Sequence, residues 1–258
     1  MQEERPASTL PELVREATRV LANRPRAAHA VPPEAMARAN ALALVTGSRG
    51  GSRGGSLGGS LGGSLGGSLG GSLGGLGVGP SAAAGLLVRR LPSGAWSAPV
   101  SLAVGGGGSA MGGGGEAADL LILLLTDEAV RHFTRAADAL EKVRLGETVS
   151  MAAGPMAAEE LKPLLVASGT MPGCLAYAHS RGHFTGYVHG GESLVGRVAE
   201  NAEYYRTEGV TAAAILSGGV PRPADDDARA LYEVLDRWPD QQAWSREHSY
   251  SSLVGSLW

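Results

Sequence analysis

His179, His183 and His189 fall within eleven residues, close enough for two imidazoles on one strand face to approach a metal ion. The set is incomplete. Third and fourth ligands cannot be named, because Cys174 is the single cysteine of the chain. Surface histidines on a hairpin account for the same spacing. The lone Cys174 also rules out an intrachain disulfide framework and a cysteine-rich zinc site, and it reads as a small buried apolar residue. Gly105 to Gly108 with Ala110 matches the pattern Gly-x-Gly-x-x-Ala after a strand. A dinucleotide site needs a helix to start there, since its N-terminus holds the pyrophosphate. More glycines and a strand follow instead. No Gly-Lys pair occurs, so a P-loop is absent, and no cofactor is called for. Ser109 lies among glycines, but Met111 stands where a nucleophile elbow requires glycine. Asp225-Asp226-Asp227 reads as a helix start, with Asp227 as the cap before Ala228, rather than as a divalent-ion site.

With catalytic and metal chemistry thus unsupported, the segment with a binding character is N-terminal. Thr9 and Glu12 have capping-box spacing, and Leu10, Leu13, Val14, Ala17 and Leu21 then share one helical face. Arg15 and Arg19 lie four apart on another face, and Arg24 and Arg26 follow, with Pro25 ending the helix. Two roles fit. The helix lies on an anionic membrane, apolar face in and arginines at the headgroups, or its apolar face covers a β core and the arginines are solvated. Charge placement is uneven. Residues 1–54 carry eight Arg against five acidic residues, a balance of +3 that leaves −6 on the rest of a chain of net charge −3. That total argues against general nucleic-acid binding.

The 258 residues suffice for one large domain or two small ones. A short helix is expected from Pro32-Pro33 through Ala39, then a buried strand from Ala41 to Thr46. Residues 47–74 are seven tetrapeptides, two of Gly-Ser-Arg-Gly and five of Gly-Ser-Leu-Gly. Each glycine costs about 1 kcal/mol against alanine in a helix, so the four-residue spacing of the leucines does not make one. The composition reads as a flexible, disordered linker. Strands are expected at Leu86 to Leu91, at Trp96 to Val104 after the Pro92-Ser93-Gly94 turn, and at Leu120 to Leu125. Thr126 caps a helix that carries Ala129, Val130, Phe133 and Leu140. Short strands follow near Val143 to Leu145, Thr148 to Ala152 and Leu175 to Ala178, the last paired with Phe184 to Val188. Helices close the chain at Val198 to Tyr205, Ala212 to Leu216 and Ala228 to Trp238, and 239–258 reads as a polar, flexible tail. The start of the chain lacks the apolar stretch of a signal peptide. The longest apolar run, Leu120 to Leu125, is far too short to span a bilayer.

In this order the segments resemble the SYLF domain, a lipid- and actin-associated module of eukaryotic endocytic proteins with bacterial relatives. The likeness is carried by Val31-Pro32-Pro33-Glu34 with Ala39 and Leu42, and most closely by the stretch from Gly85 through Arg90 and Trp96 to Pro99. It continues through Asp119 to Phe133, Ala153-Gly154-Pro155, and the hairpin with Tyr177, Ser180, Gly182, Phe184 and Gly186. Asn201, Tyr204-Tyr205, Ile215-Leu216 and Leu231-Tyr232-Glu233 complete it. The repeat stands where the family has a segment with glycine and aromatic residues. The resemblance implies an α+β fold, a mostly antiparallel sheet with N- and C-terminal helices. It places a SYLF-like domain at 10–238, interrupted at 47–80 by the low-complexity repeat. It implies no catalysis. The implied function is phosphoinositide or other anionic phospholipid binding, peripheral to membranes in the cytoplasm, through Leu13, Val14, Arg15, Arg19, Leu21, Arg24 and Arg26. Actin filament binding or bundling is the alternative, and a diverged copy that keeps the fold alone is a third. The repeat has little to bury and much entropy to lose. Replacing residues 51–74 by a short Gly-Ser linker is therefore expected to leave the melting temperature within a few degrees; a large drop would show that the leucines pack.

Overall fold

The computed structural model describes residues 8–22, 30–46, 83–105, 118–157, 159–161, 172–187 and 193–238. The repeat, the glycine cluster at 106–117 with Ser109, and Arg24, Arg26, His189 and 239–258 lie outside the described residues.

The strands are β1 (Ala41–Val45), β2 (Ala83–Arg89), β3 (Val100–Gly105), β4 (Asp119–Leu124), β5 (Val143–Arg144), β6 (Met151–Ala153), β7 (Cys174–Ser180), β8 (His183–Gly186) and β9 (Ser193–Gly196). They form one sheet in the order β5-β9-β3-β2-β1-β4-β7-β6, with β8 also on β7. All of these pairings are antiparallel except β6 with β7. The helices are α1 (Leu10–Ala22), α2 (Pro33–Ala37), α3 (Asp127–Ala137), α4 (Val198–Tyr205), α5 (Ala212–Leu216) and α6 (Asp226–Arg237). The expected α+β class holds.

Antiparallel sheets commonly leave one face to water, which gives alternating sequences. Here the central strands read Ala-Leu-Ala-Leu-Val and Asp-Leu-Leu-Ile-Leu-Leu, and β1 is buried at every residue. Both faces must therefore be covered. Register places Leu42 opposite Val88 and Leu123, and Ala43 opposite Leu87 and Ile122. The first set joins Leu44, Leu86 and Leu121 in a core closed by α1, α2 and α6. The second joins Val100, Leu102 and Leu120 in a core closed by α3 and α5.

Two glycines mark close approaches. A Cβ at Gly196 would lie 2.3 Å from the Ala137 carbonyl oxygen, so this bare position lets β9 reach the end of α3. A Cβ at Gly154 would sit 2.1 Å from the Tyr177 ring, which lies flat over that turn and donates its hydroxyl to the Pro155 carbonyl at 3.2 Å.

Several expectations need correction. β2 begins at Ala83, and Trp96 to Pro99 is not strand. Trp96 makes an isolated bridge to Arg90, whose guanidinium stacks 4.8 Å from its ring. β9, four residues ending in Gly196, is too short to stand out by pattern. Leu140 lies beyond α3 and is 68% exposed, because the chain leaves the helix at Asp138. The cap of α6 is Asp225, which accepts from the Ala228 amide at 2.9 Å, not Asp227. Asp227 sits within the first turn of α6, where its carboxylate is turned to another helix.

Candidate functional site

The thirteen residues of α1 divide into two faces. Glu12 folds back to accept from the Thr9 amide at 2.8 Å, which satisfies one of the helix's unpaired N-terminal donors. That amide is the main reason the Glu12 carboxyl lies below its usual range. The inner face is Leu10, Leu13, Val14, Ala17, Val20 and Leu21, each 1% exposed or less. It packs against β2 and α6. Burying its five larger side chains stabilises the docked helix by on the order of 10 kcal/mol, an upper figure.

A polar clamp sets the position of the helix start. The Leu10 amide donates to the Glu200 carboxylate of α4. Arg197, just before α4, donates to the Ser8 carbonyl at 2.7 Å and to the Ser101 hydroxyl of β3 at 3.0 Å. It also pairs with Glu200 at 3.5 Å. Asn201, buried, accepts from the Ser101 amide at 2.8 Å. Each buried polar group here has a partner, and a buried group left without one would cost about 1–3 kcal/mol. Two phenols extend the clamp. Tyr205 donates to the Pro99 carbonyl and Tyr232 to that of Ser97. Burial drives both phenols above their ordinary pKa, so they remain donors. Burial and then the Asp225 carboxylate push Tyr204 up to about 12.

On the outer face, Arg15 and Arg19 are about half exposed. Arg15 donates to Asp227 of α6 at 2.8 Å, and this bond is the chief cause of its raised pKa. Arg19 grips Glu16 through two nitrogens and lies 3.7 Å from Asp119 of β4. Of the seven residues expected to meet lipid, the structure therefore places Leu13, Val14 and Leu21 in the core. It leaves Arg15 and Arg19 outside, while Arg24 and Arg26 lie outside the described residues. In this fold the three apolar residues meet the sheet, because the sheet's apolar face needs them.

The other candidates resolve differently. His179 is 4% exposed, with Nδ1 3.2 Å from Asp119 and its ring tilted against Phe184, so it is not a surface histidine. His183 pairs across the hairpin with Ser180, which puts it on the sheet face opposite His179. Among the described residues, no group of three or more His, Cys, Asp or Glu side chains is placed to hold a metal. Cys174 is buried, and burial pushes its thiol well up, away from a reactive thiolate. An open cleft of about 330 Å³ beside α6 is lined by Arg222, Arg229, Tyr232, Glu233 and Asp236. Arg222 covers the Tyr232 ring at 4.7 Å, and Arg229 is held by Asp226.

The family model described as "Ysc84: Las17-binding protein actin regulator" matches residues 105–238, more than half of the chain. The chain belongs to this family. The matched stretch runs from β4 through α6, and α1, α2, β1, β2 and all of β3 but Gly105 precede it. "LAS seventeen-binding protein 3" of Saccharomyces cerevisiae is 30% identical over 156 residues, 60% of this chain and 32% of that protein. "SH3 domain-containing YSC84-like protein 1" of Homo sapiens is 30% identical over 159 residues, 61% of this chain and 44% of that protein. The chain thus spans about a third to under half the length of these curated relatives. No solved structure matches it significantly.

Sequence reasoning missed Arg197, Glu200 and Ser101. The signal was the Arg-x-x-Glu spacing just ahead of Asn201, which only a knowledge of where α1 starts would have made meaningful. The two faces of α1 make separable predictions. Leu13→Ser with Leu21→Ser is expected to cost at least about 4 kcal/mol in denaturant unfolding. Arg15→Ala with Arg19→Ala is expected to leave the melting temperature within a few degrees, since exposed pairs contribute little. Equal stability of the serine variant and the parent would contradict a structural role for the inner face.

Proposed function

We propose that this chain is a non-catalytic binding module acting on the actin cytoskeleton. The observation that carries the reading is the match over 105–238 to a family described by Las17 binding and actin regulation, a description that names no catalysed reaction. The relative named as a LAS seventeen-binding protein supports the same class of role. The geometry is compatible with it: a two-core sheet in which Asn201, Tyr205 and Tyr232 hold helices to the sheet and its turns. Co-sedimentation is the test. The purified chain is expected to pellet with filamentous actin in a saturable manner. A chain that stays in the supernatant at low salt would contradict direct actin binding and leave a partner protein as the route to actin.

A second reading is binding of anionic phospholipid, including phosphoinositides, at a cytoplasmic membrane face. It is favoured by one feature, the outward arginines four residues apart on a helix that lies along the outside of the fold. The burial of Leu13, Val14 and Leu21 supports a surface mode over insertion. Inserting them would uncover an apolar sheet face at a cost on the order of 10 kcal/mol, so contact is electrostatic and peripheral, through Arg15 and Arg19, with Arg24 and Arg26 next in sequence. Removing Arg15 and Arg19 is then expected to weaken vesicle binding roughly thirtyfold at low salt. The loss should shrink at high salt, where the attraction is screened. Vesicle flotation of the double variant at parental affinity would remove α1 as the site.

A further inference from the structure

We propose that Asp227 is a built-in competitor for the anionic ligand of α1, so that the docked arrangement of α1 on α6 restrains the binding of this protein to anionic lipid surfaces. The inference rests on the peripheral-lipid reading above and adds its regulation. Arg15 points outward, yet its guanidinium is engaged by the Asp227 carboxylate at 2.8 Å. Both partners are about half exposed, so a lipid phosphate can reach the pair. A guanidinium binds carboxylate and phosphate oxygens through the same planar donors. A headgroup must therefore displace Asp227 or share the arginine with it.

Placement shows that the pair is not needed for capping. The N-terminus of α6 is already closed by Asp225 on the Ala228 amide, and Asp226 and Asp227 add favourable charge in the first turn. Of these two, Asp226 is 93% exposed and turns to Arg229 within its own helix, whereas Asp227 crosses to α1. Asp227 alone of the three is set against an arginine of α1. Arg19 is restrained in the same way, by Glu16 on its own helix and by Asp119 of β4. The arginines of this face are thus held by carboxylates from three elements, and a weakly binding ground state is the consequence.

The neighbouring aspartates supply the control. Asp227→Asn and Asp226→Asn remove the same charge from the same helical turn, but only the first frees Arg15. Binding is measured by flotation with phosphatidylcholine vesicles containing a phosphatidylinositol bisphosphate, at low salt, with each variant's melting temperature recorded beside it. Asp227→Asn is expected to bind about threefold more tightly than the parent, with Asp226→Asn close to the parent. The gain should vanish when Arg15→Ala is added to Asp227→Asn, and Asp227→Ser should reproduce it. An Asp227→Asn protein that binds no more tightly than Asp226→Asn, while the parent binds, overturns the competitor role and leaves the lipid reading intact. Failure of the parent and every variant to float with the vesicles overturns both.

Discussion

Burial of the central sheet on both faces is the constraint from which the rest of the structure follows. β1, β2 and β4 present apolar side chains up and down, so no face is left for water. A sheet of this kind cannot stand without two covering layers. On one side α3 and α5 supply the cover. On the other, α1 lies with α6 over Leu42, Leu44, Leu86 and Val88. A helix whose amphipathicity fits a membrane surface is therefore committed to the interior. Its apolar stripe carries an energy on the order of 10 kcal/mol in the core, comparable with the whole stability of a typical domain. The outer arginines, Arg15 and Arg19, pair with carboxylates at the surface and take no part in the core.

Several residues that carry the family resemblance are buried polar groups with structural partners. Asn201 closes on the β3 backbone, Tyr205 and Tyr232 donate to carbonyls just before β3, and Tyr177 covers Gly154. These side chains bind the helices to the sheet and to its turns. They belong to the ordered set of residues that carries the family resemblance. Arg197 and Glu200 continue the same pattern to the start of α1, from outside that helix's own sequence.

Much of the fold was legible because its signals were local. The apolar runs at Ala41 and Leu120, the Thr126 cap and the three C-terminal helices all stand near their expected bounds. Failures arose where a tertiary partner decided. Asp227 has the spacing of a cap, but Asp225 takes that role and Arg15 draws Asp227 across. His179 reads as a surface residue on a hairpin until Asp119 and Phe184 enclose it. The faces of α1 were legible as faces, but not what each would meet, since an apolar stripe suits a sheet and a bilayer equally. β9 escaped notice because four residues carry too little pattern, and its place depends on bare Gly196 passing the end of α3.

Native-state hydrogen exchange tests most directly whether α1 is integral to the core. The amides of Ala17 and Leu21 are predicted to open with a free energy within about 1 kcal/mol of those of Leu42 and Leu44 in β1, because helix and sheet are lost together. Exchange of the α1 amides by a separate opening about 3 kcal/mol or more below the strand amides would contradict the account. It would show a helix that leaves the sheet while the rest of the domain stays folded.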